Sequence, residues 1–227
     1  TLPWIYTLHG NCDDLSSLPV NTVCISANHA ERHGRKVFVY NGIDPSEVRY
    51  QERKAEHLLF FSLVRMRAKG ADIALRIARK YQLPMVICGG SRLDLIKVGG
   101  FVDSLWPGIR FAGKVVGTEK ADHFANARAL LFPIRWPEPF GLVLIESLMS
   151  GTPVIATPLG SVPELVPSGV GALFADEADF PQALEHIRGC SPQACREWAM
   201  SGFTSEICAS NYIRLFERIL NGEDPFR

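Results

Sequence analysis

The stretch "WPEPFGLVLIESLMSGTPVIAT", residues 136–157, holds a helix and a strand in immediate succession. "GLVLIESLMSG" (141–151) reads as a helix closed by Gly151, and glycine is the usual residue just past a helix C-terminus. "PVIAT" (153–157) follows as a short apolar strand. Two carboxylates flank the start of the helix. Glu138 stands in the proline-bearing loop before it, and Glu146 stands inside it, among Leu144, Ile145, Leu148 and Met149. An E-x7-E pair taken alone is compatible with two solvated charges. The apolar company of Glu146 argues against that reading, because charged groups on the buried side of a helix need a partner.

Working outward, the same alternation repeats. "WIYTL" (4–8), "TVCIS" (22–26) and "KVFVY" (36–40) read as short strands. "HLLFFSL" (57–63) is a continuous apolar run, as expected of a strand buried on both faces. An amphipathic helix is predicted over 69–81, with Ile73, Ala74, Ile77 and Ala78 at helical spacing. "PMVICGG" (84–90) reads as a strand ending on Gly89 and Gly90, and 93–105 as a helix broken at Gly99-Gly100. "IRFAG" (109–113) is a strand, 118–127 a helix with Thr118 as its N-cap, and "RALLFPI" (128–134) a strand. "GALFA" (171–175) is the last strand. Helices near 177–188, 192–200 and 204–221 close the chain, with starts at Ser191-Pro192 and Thr204. Strand and helix alternate through 57–175, which predicts an α/β fold: a Rossmann-like parallel sheet with helices on both faces. Ligands of such sheets bind beyond the carboxyl ends of the strands.

Composition narrows the function. The 227 residues are 47% hydrophobic and 21% charged, ordinary for a soluble protein, and can bury roughly 70–75% of the unfolded surface. The formal net charge is zero, so no basic field favours nucleic acid. The six cysteines form no C-x-x-C pair and have no histidine cluster beside them, so zinc is not expected. Cys24 and Cys88 lie in strand-like runs and read as buried thiols, which suggests a reducing, cytoplasmic setting. No apolar run approaches 18 residues. No signal peptide is evident, and a chain opening on Thr1 reads as a fragment or a processed product.

Gly141 opens a helix whose first N–H groups have no partner within it. With the helix dipole they form an anion site suited to a diphosphate. Glu138 beside it suits sugar hydroxyls and Glu146 a ribose, and a diphosphate between two polyol rings describes a nucleotide sugar. A lysine at position 69 opposes the dipole of the helix it begins, which hints at a bound anion there. Asn41 and Gly42 read as turn residues, and His29 and His33 as surface or helix-cap residues. Gly89 and Gly90 either end a strand or admit a base or ribose. No G-x-G-x-x-G follows a strand, which disfavours an oxidoreductase, and no D-x-D pair suggests a metal.

"EPFGLVLIESLMSGTPVIAT" resembles the E-x7-E segment of the family-4 retaining glycosyltransferases, relatives of glycogen and sucrose synthases with the GT-B fold. The resemblance implies that Glu138 contacts the donor sugar, Glu146 the ribose, and the backbone of Phe140 and Gly141 the phosphates. "VYNGID" (39–44) resembles the family's interdomain linker, and "AKGADIALRIA" (68–78) its K-G helix, which implies a diphosphate contact for Lys69. "MVICGG" (85–90) and "FAGKV" (111–115) resemble strands whose ends approach the base, which implies nucleotide contacts at Gly89, Gly90, Lys114 and Val115. "TPLGSVPELV" (157–166), ending in Glu164, resembles the loop after the E-x7-E helix, with Gly-Ser where Gly-Gly is common. "YTLHGN" (6–11) and "VCISANHAERHG" (23–34) resemble the last strands of an acceptor domain. His9 then matches a position near the donor sugar, a structural histidine at a strand end being the competing reading. One departure stands out. The family carries a basic residue where this chain has Leu63 or Val64, and Arg65 is near but out of register. Either Arg65 reaches in by a local bulge or activity is weakened.

The resemblance therefore implies residues 1–40 as the end of an N-terminal acceptor domain and 41–227 as a C-terminal donor-binding domain. Most of an acceptor domain of ~100–200 residues is missing. The expected function is transfer of a sugar, with retained configuration, from a nucleotide-diphospho-sugar to an unknown acceptor (glycan, lipid or small molecule), without cofactor or metal. The alternative is a non-catalytic nucleotide-sugar binding module or degenerate subunit. A cytoplasmic location is expected, with peripheral membrane contact left open.

Overall fold

A computed structural model describes residues 3–226 of the chain. A small sheet comes first: β1 (Tyr6–Thr7) pairs in parallel with β2 (Thr22–Val23), and a single bridge adds Phe38 beside Cys24. The expected strand at 36–40 is thus reduced to one bridge. The short helix α1 (Ala27–Arg32) follows β2, capped by the Ser26 side chain.

The main sheet has six parallel strands: β3 (Leu58–Phe61), β4 (Met85–Cys88), β5 (Ile109–Gly113), β6 (Ala129–Phe132), β7 (Val154–Ala156) and β8 (Gly171–Leu173). Their spatial order is β5-β4-β3-β6-β7-β8, with Leu58 in register with both Met85 and Ala129. The order reverses between β3 and β6, and there the crossovers on either side diverge and open a crevice.

Side-chain alternation feeds two cores. Leu59, Val86, Cys88, Leu130, Phe132 and Val154 join one core, and Leu58, Phe60, Met85, Ile87, Leu131 and Ile155 the other. The second core is closed by α2 (Ala71–Lys80), α3 (Leu95–Val98) and α7 (Phe180–His186). The first is closed by α4 (Gly117–Asn126), α5 (Leu142–Met149), α6 (Val162–Leu165) and α8 (Pro192–Gly202). Helices on both faces explain why every residue of β4 and β6 is buried. Ser191 and Thr204 cap α8 and the last helix, α9 (Ser205–Leu220), as the sequence predicts.

Some expectations change. Thr118 lies inside α4, which begins after Val116 without a side-chain cap. Lys69 lies in a 3₁₀ turn (Arg67–Lys69) ahead of α2, not in the helix. Gly70 separates the two at φ +75, and a Cβ there would meet the Pro133 carbonyl oxygen at 1.9 Å. His29 and His33 are buried, not surface residues, and His33 is the C-cap of α1. His29 Nε2 donates to the Gly10 carbonyl at 3.0 Å while its Nδ1 accepts from the Ile25 amide. Burial pushes the His29 ring down to about 4, with His33 and Arg32 adding to the shift.

Residues 3–40 are tied to the rest by, among other contacts, α9 and Glu164. Helix α9 leaves the main sheet and packs Leu215, Tyr212 and Ile219 against Val23 and Val39. The Glu164 carboxylate accepts from the Ala27 and Asn28 amides, at 3.1 Å each, and from the Tyr40 hydroxyl at 2.9 Å. Glu164→Ala leaves three donors without their acceptor. It is expected to lower unfolding free energy by about 1–3 kcal/mol and to raise proteolysis within 3–40. Urea denaturation and limited proteolysis check both.

Candidate functional site

At the crevice between β3 and β6 lies an open cleft of about 300 Å³. It is lined by Ser62 and Lys69 from the loop after β3, by Phe132 and the loop from Trp136 to Gly141 after β6, and by the start of α5. His9, Gly10 and Asn41 close it from the N-terminal side.

The loop 137–140 is irregular, yet four consecutive carbonyls are satisfied from behind. Pro137 accepts from the Asn11 amide at 3.0 Å, and Glu138 from the Ser161 backbone N–H at 2.9 Å. Pro139 accepts from the Ser26 hydroxyl at 2.6 Å, and Phe140 from the Ser161 hydroxyl at 2.7 Å. Gly160 makes this approach feasible. A Cβ there would lie 2.3 Å from both the N and the O of Glu138. Phe140 is buried beside Tyr40 and Phe203 and anchors the loop. Gly141 then takes φ +87 as N-cap of α5, and the Leu142 and Val143 amides have no hydrogen-bond partner among the described residues. Such amides at a helix start attract an anion.

Charge sits in pairs. The Lys69 ammonium donates to Glu138 Oε2 at 2.7 Å, and the Trp136 indole N–H donates to the same oxygen at 2.7 Å. Lys69 Nζ also lies 4.5 Å from the Trp136 ring centre. Behind them Arg135 clasps Asp72, in the first turn of α2, through two hydrogen bonds of 2.6 and 2.5 Å. Burial alone raises the Asp72 carboxyl, but the Arg135 hydrogen bonds and charge outweigh it and hold it below its ordinary value. Glu146 does not line the cleft; it pairs with Lys120 of α4 at 2.5 Å. Burial raises the Glu146 carboxyl, and Lys120 only partly offsets that.

The cleft thus brings together His9, Lys69, Glu138, Phe140 and Gly141. The remaining sequence candidates lie elsewhere. Val115 is buried in the core and Lys114 is exposed just after β5. A Cβ at Gly89 would fall 2.1 Å from the Ser62 carbonyl oxygen, and one at Gly90 2.7 Å from Val64 Cβ, so neighbouring protein already requires both glycines. Arg65 is exposed and outside the cleft lining; no bulge turns it inward. It lies near Asp94, which the Ser91 N–H, and further Arg65 and Lys114, hold below its ordinary value. Sequence reading passed over Trp136, Arg135, Ser161 and Lys120. Only Trp136 carried a local signal, as an aromatic donor two positions before Glu138.

A carboxylate held low in the folded state adds stability fully above its unfolded value of ~3.9, and loses it as pH falls through the folded value. Arg135→Met is therefore expected to cost about 1–3 kcal/mol at pH 7. The deficit should shrink below pH ~4 as Asp72 protonates. Urea midpoints from pH 7 to pH 3 measure it.

Comparisons with known proteins agree on one family. The family model described as Glycosyl transferases group 1 matches residues 55–188, more than half of the chain. The phosphatidyl-myo-inositol mannosyltransferase of Mycobacterium leprae is 37% identical over 132 residues, 54% of this chain and 34% of that protein. An uncharacterized 41.2 kDa protein in the cps region of Klebsiella pneumoniae is 30% identical over 114 residues, 47% of this chain and 32% of that one. The matched part is thus about a third of each of these relatives. Among solved structures, AviGT4, a glycosyltransferase involved in avilamycin A biosynthesis, superposes with TM-score 0.80 at 25% identity, over 96% of this chain and 68% of that one. Anabaena Alr3699/HepE, solved in complex with UDP and glucose, superposes with TM-score 0.75 at 16% identity, over 95% and 71%.

Proposed function

The chain belongs to the Glycosyl transferases group 1 family, with the α/β, Rossmann-like architecture of GT-B glycosyltransferases, and from that premise we propose that it binds a nucleotide-diphospho-sugar and transfers the sugar with retention of configuration. The observation that carries this reading is the meeting of Lys69, Glu138 and the free amides at the start of α5 in one cleft. A cation and unpaired amides suit a leaving diphosphate, and a carboxylate beside them suits sugar hydroxyls. The UDP and glucose named for the HepE structure support the same class of donor.

In the reaction so proposed, Lys69 and the backbone at 140–143 neutralise the diphosphate as it departs, and Glu138 orients the sugar. Glu146 holds the ribose once Lys120 yields to it. Gly89, Gly90, Lys114 and Val115 border the base, and His9 faces the acceptor. Charge on the leaving group is handled by the protein alone, without metal or cofactor. Residues 1–40 form the end of an acceptor-side domain, and 41–227 hold the donor. The acceptor, whether glycan, lipid or small molecule, meets the sugar from the His9 side.

One observation favours a second reading, a binding module without transfer: among the described residues Lys69 is the sole lysine or arginine lining the cleft, with Arg65 outside it. Titration calorimetry against UDP, GDP and ADP separates binding from no binding. Saturable binding of one, weakened by Glu146→Ala, is expected. Transfer by the full-length protein separates enzyme from module. Glu138→Gln keeps the side-chain volume and is expected to retain nucleotide binding while losing at least ~100-fold in turnover, the scale of one lost electrostatic partner. Unchanged turnover would remove Glu138 from the mechanism.

A further inference from the structure

We infer that Trp136 is a positioning residue for Glu138, and that Lys69 is a counter-ion which the incoming diphosphate takes over from that glutamate. The inference rests on the donor-binding reading above. Three observations carry it. Lys69 and Trp136 donate to the same oxygen of Glu138, Oε2, each at 2.7 Å. Among the described residues no hydrogen bond reaches Oε1. The Lys69–Glu138 pair is nearly enclosed, with side-chain exposures of 14% and 11%, yet both residues line the cleft.

A carboxylate has room for about four hydrogen bonds on its two oxygens. Here the protein occupies one oxygen and leaves the other to the cleft, which divides the group into an anchored end and a ligand-facing end. The two anchors differ in kind. The lysine is a mobile point charge with three rotatable donors, and a diphosphate beside it offers more negative charge than one carboxylate. The indole N–H is fixed by a planar ring with one donor and no acceptor. When the diphosphate draws Lys69 away, the indole alone keeps Oε2 in place and Oε1 directed at the sugar. The Trp136 ring, 4.5 Å from Nζ, keeps the ammonium in reach of both acceptors. The ligand-free cleft is thereby held neutral, and charge is exchanged on binding rather than newly buried.

The indole N–H resonance of Trp136, assigned by its loss in Trp136→Phe, reports the bond directly. In the ligand-free protein Glu138→Gln should move it upfield, because the acceptor loses its charge. Lys69→Met should move it downfield, because the shared oxygen then serves one donor. Saturation with UDP, or with GDP or ADP if calorimetry selects that nucleotide, should move the wild-type resonance downfield, toward its ligand-free Lys69→Met position. Lys69→Met should weaken the nucleotide by at least about tenfold, while Trp136→Phe, which leaves the cation in place, should weaken it less. A resonance indifferent to Glu138→Gln overturns the anchoring role. A nucleotide that binds calorimetrically without moving the resonance overturns the exchange and leaves the donor reading intact. No binding of any of the three removes the donor reading and the exchange together, while the ligand-free spectra still decide the anchor.

Discussion

The loop from Pro137 to Phe140 carries one carboxylate that lines the cleft, and its four carbonyls are all satisfied by neighbouring protein. A buried backbone without partners costs about as much as several lost hydrogen bonds. Four carbonyls in a row therefore recruit Asn11, Ser26 and, twice, Ser161. Much of the surrounding design follows from this need. Ser161 must come close, which requires Gly160; Ser26 must come close, which seats the start of α1 against the loop. Glu164, three residues after Ser161, then closes the contact by capping α1.

The charged groups follow a matching logic. Each of three enclosed ion pairs joins segments that follow different strands: Lys69 to Glu138, Arg135 to Asp72, and Lys120 to Glu146. Pairs of this kind contribute little net stability once desolvation is counted, but an unpaired member would be costly. Their effect is to fix the spacing of loops around the crevice. Lys69 and Glu138 differ from the other two pairs in that both members also line the cleft.

Much of the fold was legible because the signal was local. The apolar runs at 57–63, 84–88 and 128–134 and the helical spacing at 73–78 each appear where periodicity places them. The errors arose where a short-range rule met a tertiary requirement. Thr118 has the chemistry of a cap, but the chain enters α4 two residues earlier. Gly70 makes the predicted helix start late, at Ala71, because its backbone must pass the Pro133 carbonyl. His29 and His33 look like surface residues by type, yet His29 spends its ring nitrogens on the Gly10 carbonyl and the Ile25 amide, and His33 on the Cys12 amide and the His29 carbonyl.

Alternation of strand and helix, which depends on side-chain period alone, determined an α/β chain with a parallel sheet and helices on both faces. The helix start at Gly141 with Glu138 just before it marked the segment that lines the cleft. Tertiary structure decided the rest. Which cation serves the cleft carboxylate depends on a contact between residues 69 positions apart, and Glu146 is paired with Lys120 across 26. Such pairings are set by the order of strands in the sheet and by how closely two backbones can pass. A linear pattern of residue types carries neither quantity.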